Sequence, residues 1–137
     1  MPTKPSTIAI LCLLLIAGAA ASNAVMDTLS FRYTNSVFPQ GDAAAWWNPA
    51  RSWKNKWKEG DPQKGEAFPG SSTAFVGTTD AWHFFKSLTI LFLLVALILP
   101  FTKLFPAHPL VWVGVLLALK LLSGLIFESL FVHILVN

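Results

Sequence analysis

The sequence predicts an all-α membrane protein. Three transmembrane helices are expected, the second and third forming a tight hairpin, with a short amphipathic interfacial helix in the loop that follows the first. Three observations carry this. Hydrophobic residues make up 54% of the 137 residues and charged residues only 12%, where soluble domains carry about 25% charged residues. Mean hydropathy is +0.57, more apolar than a water-soluble chain of 15.0 kDa could hide. The apolar residues are also gathered into three long runs instead of being dispersed.

The same composition excludes other classes. The single cysteine, Cys12, lies inside an apolar run, so there is no disulfide framework and no cysteine-based zinc site. The net charge of +3 is too small and too scattered for a nucleic-acid footprint, and anionic lipid headgroups are its natural partner. No cofactor is predicted.

Residues 1–25 are read as the first transmembrane helix or signal-anchor. Its apolar core, Ile8 to Ala21, follows a basic amino end and closes on Ala19-Ala20-Ala21, a pattern like that of a secretory signal peptide. Ile10 and Leu11 before Cys12 are not the small residues of a lipoprotein anchor. An uncleaved helix is favoured, prolonged through Asn23-Ala24-Val25-Met26.

Residues 26–80 form a polar, Trp-rich loop holding Arg32, Arg51, Lys54, Lys56, Lys58 and Lys64. Within it, Asn48 suits a helix N-cap and Pro49 the first helical position, so an interfacial helix is expected over 49–58. As an α-helix it would set Trp53 and Trp57 about 40° apart, with Arg51, Lys54 and Lys58 alongside. Trp46, Trp47, Arg51, Trp53, Lys54, Trp57 and Lys58 are therefore the expected interfacial, lipid-binding set, indoles at headgroup level and cations on phosphates. A sharper alternative has the tryptophans plugging into a partner subunit or gripping a lipid substrate.

Residues 81–137 are read as the hairpin. The second apolar run, Phe84 to Phe101, is closed by Pro100 and Lys103, and Thr78, Thr79 and Asp80 can each accept from free N–H groups at its start. The third run, Leu110 to Val136, has Pro109 in its first turn and spans about 40 Å. The connection 103–109 is so short that these two helices must be antiparallel neighbours.

The segments Trp47-Asn48-Pro49, Ser52-Trp53-Lys54-Asn55-Lys56 and Thr79-Asp80-Ala81-Trp82-His83 resemble small, uncharacterised bacterial integral membrane proteins. The resemblance implies an inner-membrane location and carries no activity. For orientation, counting every Lys and Arg in the short loops favours a cytoplasmic 26–80 segment. The signal-like first run favours the opposite side, and on that ground the loop is placed outside the cytoplasm.

Ionisable residues inside a span are functional candidates, because each costs a few kcal/mol at the bilayer centre. Lys120 sits near the middle of the third run with Glu128 about 12 Å further along it. Gly114, Ala118, Lys120, Gly124 and Glu128 are the expected helix-partner contacts, Gly114 and Ala118 forming a small-xxx-small face. At the membrane surface, the hairpin would bring Asp80 and His83 toward Glu128 and His133. A carboxylate beside an imidazole could act as a general base, with His83 and His133 as weak candidate metal ligands. Asp80 also has a sufficient role as a cap, and no catalytic motif or paired carboxylates appear.

Three functions follow. The first is a small, non-catalytic accessory or structural subunit of a larger membrane protein complex, in contact with other membrane subunits or itself. The second is a membrane enzyme acting on lipid through Asp80, His83 and Glu128. The third is an oligomeric ion or solute pathway using Lys120 and Glu128.

Overall fold

The computed structural model describes residues 5–41 and 44–130, with side chains from Ser6 to Ile126. It contains three helices long and apolar enough to cross a membrane and a short helix in the loop between the first two. These are α1 (Pro5–Phe31), α2 (Pro49–Ser52), α3 (Ala81–Leu104) and α4 (Pro109–Leu130). By length and composition this is an integral membrane protein. The chain divides into two compact units, residues 18–89 and residues 1–17 with 90–137.

Helix α1 continues six residues past the expected end at Val25. The polar side chains there do not break it, because they bond along the helix. Asn23 donates to Asp27 at 3.1 Å, Thr28 to the Ala24 carbonyl at 2.8 Å and Ser30 to the Met26 carbonyl at 2.9 Å. The extension also brings Leu29 into a small core with Tyr33 and Ala81, covered by Val25, Phe38, Trp46, Trp47, Trp82 and Phe85.

The helix expected over 49–58 is much shorter. Asn48 caps it as read, its side chain accepting from the Ala50 N–H at 3.0 Å, and Pro49 opens it. The α-helical part ends at Ser52, Trp53–Lys56 tighten into a 3-10 turn, and Trp57 is extended at φ −115°, ψ 146°. Trp53 and Trp57 therefore do not share a helical face. The physical reason is a pairing that no local pattern announces: Trp57 bridges Glu66 in antiparallel fashion. Lys58 N–H donates to the Gly65 carbonyl at 3.0 Å and Ala67 N–H to the Lys56 carbonyl at 2.9 Å. Backbone groups bonded across a loop are unavailable for an i→i−4 ladder.

Glu66 closes the same loop from the other side. Its carboxylate accepts from the Gly70 N–H at 2.8 Å, from the Ser72 N–H at 3.0 Å and from the Ser72 hydroxyl. Those bonds hold its carboxyl below the usual glutamate range, the Ser72 hydroxyl contributing most.

Helix α3 starts three residues before the expected Phe84 and runs through Pro100 to Leu104, so Pro100 does not close it. Residues 105–108 join α3 to α4. Along α4, Trp112, Val115, Leu116, Leu119 and Ser123 recur at helical spacing and are half-covered, while no residue of the apolar window is fully buried. The expected continuation of the third run from 131 to Val136 lies outside the described residues.

Candidate functional site

The residues of chemical interest gather at the start of α3, in the unit formed by 18–89. Three tethers position that start. The Ala81 N–H donates to the Trp46 carbonyl at 2.9 Å, and the Asn55 side chain donates to the Thr79 carbonyl at 2.8 Å. Trp82 Nε1 donates to the Ser30 hydroxyl of α1 at 3.1 Å. Trp46 and Trp47 supply the packing. Trp47 stacks on Phe38 at 4.8 Å and meets Trp46 edge-on at 4.9 Å, and Trp46 and Trp47 lie 5.8 and 6.1 Å from Phe84 and Phe85. These two indoles, expected at the lipid interface, are thus engaged in the chain's own core.

Of the three expected cap residues, Asp80 takes the role. Thr78 and Thr79 instead donate back to the Phe75 and Val76 carbonyls, each at 2.8 Å. Asp80 is 2% exposed; Oδ1 accepts from the His83 N–H at 2.9 Å, and Oδ2 lies 2.7 Å from His83 Nδ1 and 3.2 Å from the Thr79 hydroxyl. Burial alone would raise its pKa. The hydrogen bonds from the His83 ring and backbone, the imidazole charge and Thr79 outweigh burial and hold the carboxyl below its ordinary range. Asp80 is therefore ionised near neutrality, and its oxygens are spent on the helix start and on fixing the imidazole.

A cavity of about 240 Å³ opens beside this pair, lined by Ser30, Pro49, Ser52, Trp53, Asp80, Trp82 and His83. Lys54 Nζ lies 5.6 Å from the centre of the Trp53 ring and Lys86 Nζ 5.0 Å from that of Trp82, so both cavity tryptophans carry a cation. Of the four tryptophans in the expected interfacial set, Trp53 alone is exposed, at 43%. Trp57 is half-buried with the Lys56 ammonium 5.8 Å from its ring. Arg51, Lys54 and Lys58 are exposed.

The structure brings Asp80 and His83 together as the spacing suggested. Glu128 falls in the last turn of α4, where only the backbone is described, and His133 lies outside the described residues. Among the described residues no group of three or more His, Cys, Asp or Glu could hold a metal ion. Gly114, Ala118, Lys120 and Gly124 are exposed on α4, with open space where a Cβ on either glycine would stand.

Ser52 and Ser30 in the cavity wall, Asn55 as a tether and the Glu66 clamp were not legible as site residues. Each acts through a partner distant in sequence, and a lone serine or asparagine carries no spacing signal. Compared with protein-family models, with curated proteins and with solved structures, the chain matches none.

Proposed function

We propose that the protein is a small, non-catalytic accessory or structural subunit of a larger membrane protein complex, with α4 as its contact helix. One observation carries the reading: Lys120 stands mid-way along a membrane-length helix, exposed, and pairs with no carboxylate among the described residues. A lysine at the bilayer centre costs about 2.5–3.5 kcal/mol on insertion scales. A carboxylate or carbonyl from a neighbouring subunit would offset that. Gly114 and Ala118 would let its backbone come close.

The location we infer is a bacterial inner membrane with the 26–80 loop on the non-cytoplasmic side. The resemblance of the Trp47-Asn48-Pro49 region and the signal-like first run support it. In a Cys12→Ser background, a Ser72→Cys variant should react with a membrane-impermeant maleimide on intact cells. Reaction only after permeabilisation would reverse the orientation.

The experiment for the main reading is purification of the full chain in a gentle detergent through a carboxyl-terminal tag. A stoichiometric set of co-eluting membrane proteins, or a defined self-assembly, is expected, and Lys120→Met should reduce it. A monomer with no companion sinks the reading.

A second reading, a membrane enzyme acting on lipid, is favoured by the 2.7 Å Asp80–His83 pair at the cavity edge. His83→Ala would then abolish activity at unchanged expression, whereas full biological complementation by that variant would exclude it.

A further inference from the structure

The cavity beside α3 has features that neither the helix cap nor the complex reading uses. Ser52 is 5% exposed and lines it, yet its hydroxyl has no hydrogen bond among the described residues. Among the described residues no buried polar side-chain atom is left unsatisfied, so the Ser52 hydroxyl is one that reaches the open space of the cavity, where a polar ligand atom can meet it. His83, partly exposed, turns a second polar atom to the cavity: Asp80 holds Nδ1, and no described residue bonds Nε2. An imidazole with one nitrogen held by a carboxylate keeps the other free for a ligand, and in its protonated form that nitrogen is a donor.

Charge decides the ligand's sign. Among the described residues of the wall the one carboxylate, Asp80, is already engaged by the His83 ring, the His83 backbone and Thr79. The cations of Lys54 and Lys86 sit on the two indoles that wall the cavity, so a cationic headgroup would meet like charge where it would otherwise find an aromatic face. Depth decides the ligand's source. The apolar span begins at Ala81, immediately after Asp80, so His83 and Trp82 stand in the first turn of a membrane-length helix, at the level where headgroups lie.

We propose that this cavity seats the phosphate of an anionic lipid headgroup, with the Ser52 hydroxyl and His83 Nε2 on the phosphate oxygens and Pro49, Trp53 and Trp82 around its glycerol. Lys54 closes the rim. The site depends on residues 18–89 alone and stands or falls apart from any complex formed through α4.

The test uses the full chain in phosphatidylcholine nanodiscs, titrated with phosphatidylglycerol or, separately, with inorganic phosphate in the buffer. The His83 side-chain nitrogens are followed by 15N resonance and Trp53 by fluorescence. Phosphatidylglycerol should shift the Nε2 resonance saturably. Ser52→Ala should weaken the response about tenfold, as expected when a hydrogen bond to a charged group is lost. Lys54→Gln should weaken it to a smaller extent, without touching the Asp80–His83 pair. No response to phosphatidylglycerol, or an unchanged response in Ser52→Ala, overturns the proposal. Saturation by inorganic phosphate with nothing added by phosphatidylglycerol would assign the cavity to a free anion and equally overturn it.

Discussion

The Cys12 thiol of α1 lies 3.5 Å from the carbonyl oxygen of Ala96 in α3, the acceptor that Pro100 leaves without its helical N–H. Proline removes the donor of the i→i−4 bond, and in an apolar medium a freed carbonyl must be met by another group. A thiol is a weak donor but small enough to reach between two helices. The lone cysteine and the intrahelical proline are thus two halves of one local solution, in the unit that contains both.

Replacing Cys12 with alanine should therefore destabilise the chain by about 0.5–1 kcal/mol, the usual size of a side-chain hydrogen bond within a membrane. Pro100→Ala restores the helical donor to the Ala96 carbonyl, so the same cysteine substitution should be nearly neutral in that background. Denaturant unfolding of both single variants and the double in bicelles checks this. Equal penalties with and without Pro100 would show that the thiol does nothing for the carbonyl.

Asp80 should make stability fall in acid. Its carboxyl titrates below the ordinary aspartate value of 3.8 in the folded chain, so between the two values the unfolded state binds the extra proton. Its contribution is fully present above that ordinary value and disappears as pH falls through the lower, folded one. Asp80→Asn should flatten this slope in thermal melts taken across acid pH, while keeping an acceptor for the His83 N–H. Asp80→Ala, which loses the cap as well, should cost about 1–2 kcal/mol at neutral pH.

Lys120→Met should leave the isolated chain in detergent as stable as before or more so, because an exposed ammonium on an apolar helix gives nothing to the fold. In the membrane it should cut recovery of companion subunits. Crosslinking yield in native membranes, compared with thermal stability of the purified chain, separates the two. A fall in both together would place Lys120 in the chain's own packing.

Glu66→Gln should loosen the loop that it clamps. The neutral amide is a poorer acceptor for the Gly70 and Ser72 N–H groups, so their hydrogen exchange should speed up severalfold, with the amides of Leu29 and Ala81 unaffected. Its charge-assisted bonds require the ionised carboxylate, so the same loosening should follow acidification below the usual glutamate range.

Much of the architecture is legible residue by residue. The runs around Ile8–Ala21, Phe84–Phe101 and Leu110 onward announce helices, because an apolar stretch of that length has few other solutions. Asn48 and Pro49 announce a helix start through a bond two residues away. Asp80 and His83, three apart, signal a shared face. The indoles show the limit of such reading. Trp46, Trp47, Trp53 and Trp57 look alike in sequence, yet the first two pack on Phe38, Phe84 and Phe85, the third faces the cavity, and the fourth is pulled into a bridge with Glu66.

Hydrophobicity and capping are properties of a residue and its near neighbours, so the sequence by itself determined the membrane class, the three apolar helices and the start of α2. The ends of elements and the use of polar groups depend on partners that folding brings from afar. Ala96 finds Cys12 across 84 positions, Trp82 finds Ser30 across 52, and Asn55 finds Thr79 across 24. Tertiary structure alone decided that α1 runs on to Phe31, that α2 stops at Ser52 and that Pro100 sits within a continuous helix. Each outcome turns on where one hydrogen-bonding group finds its partner, and that information is not local.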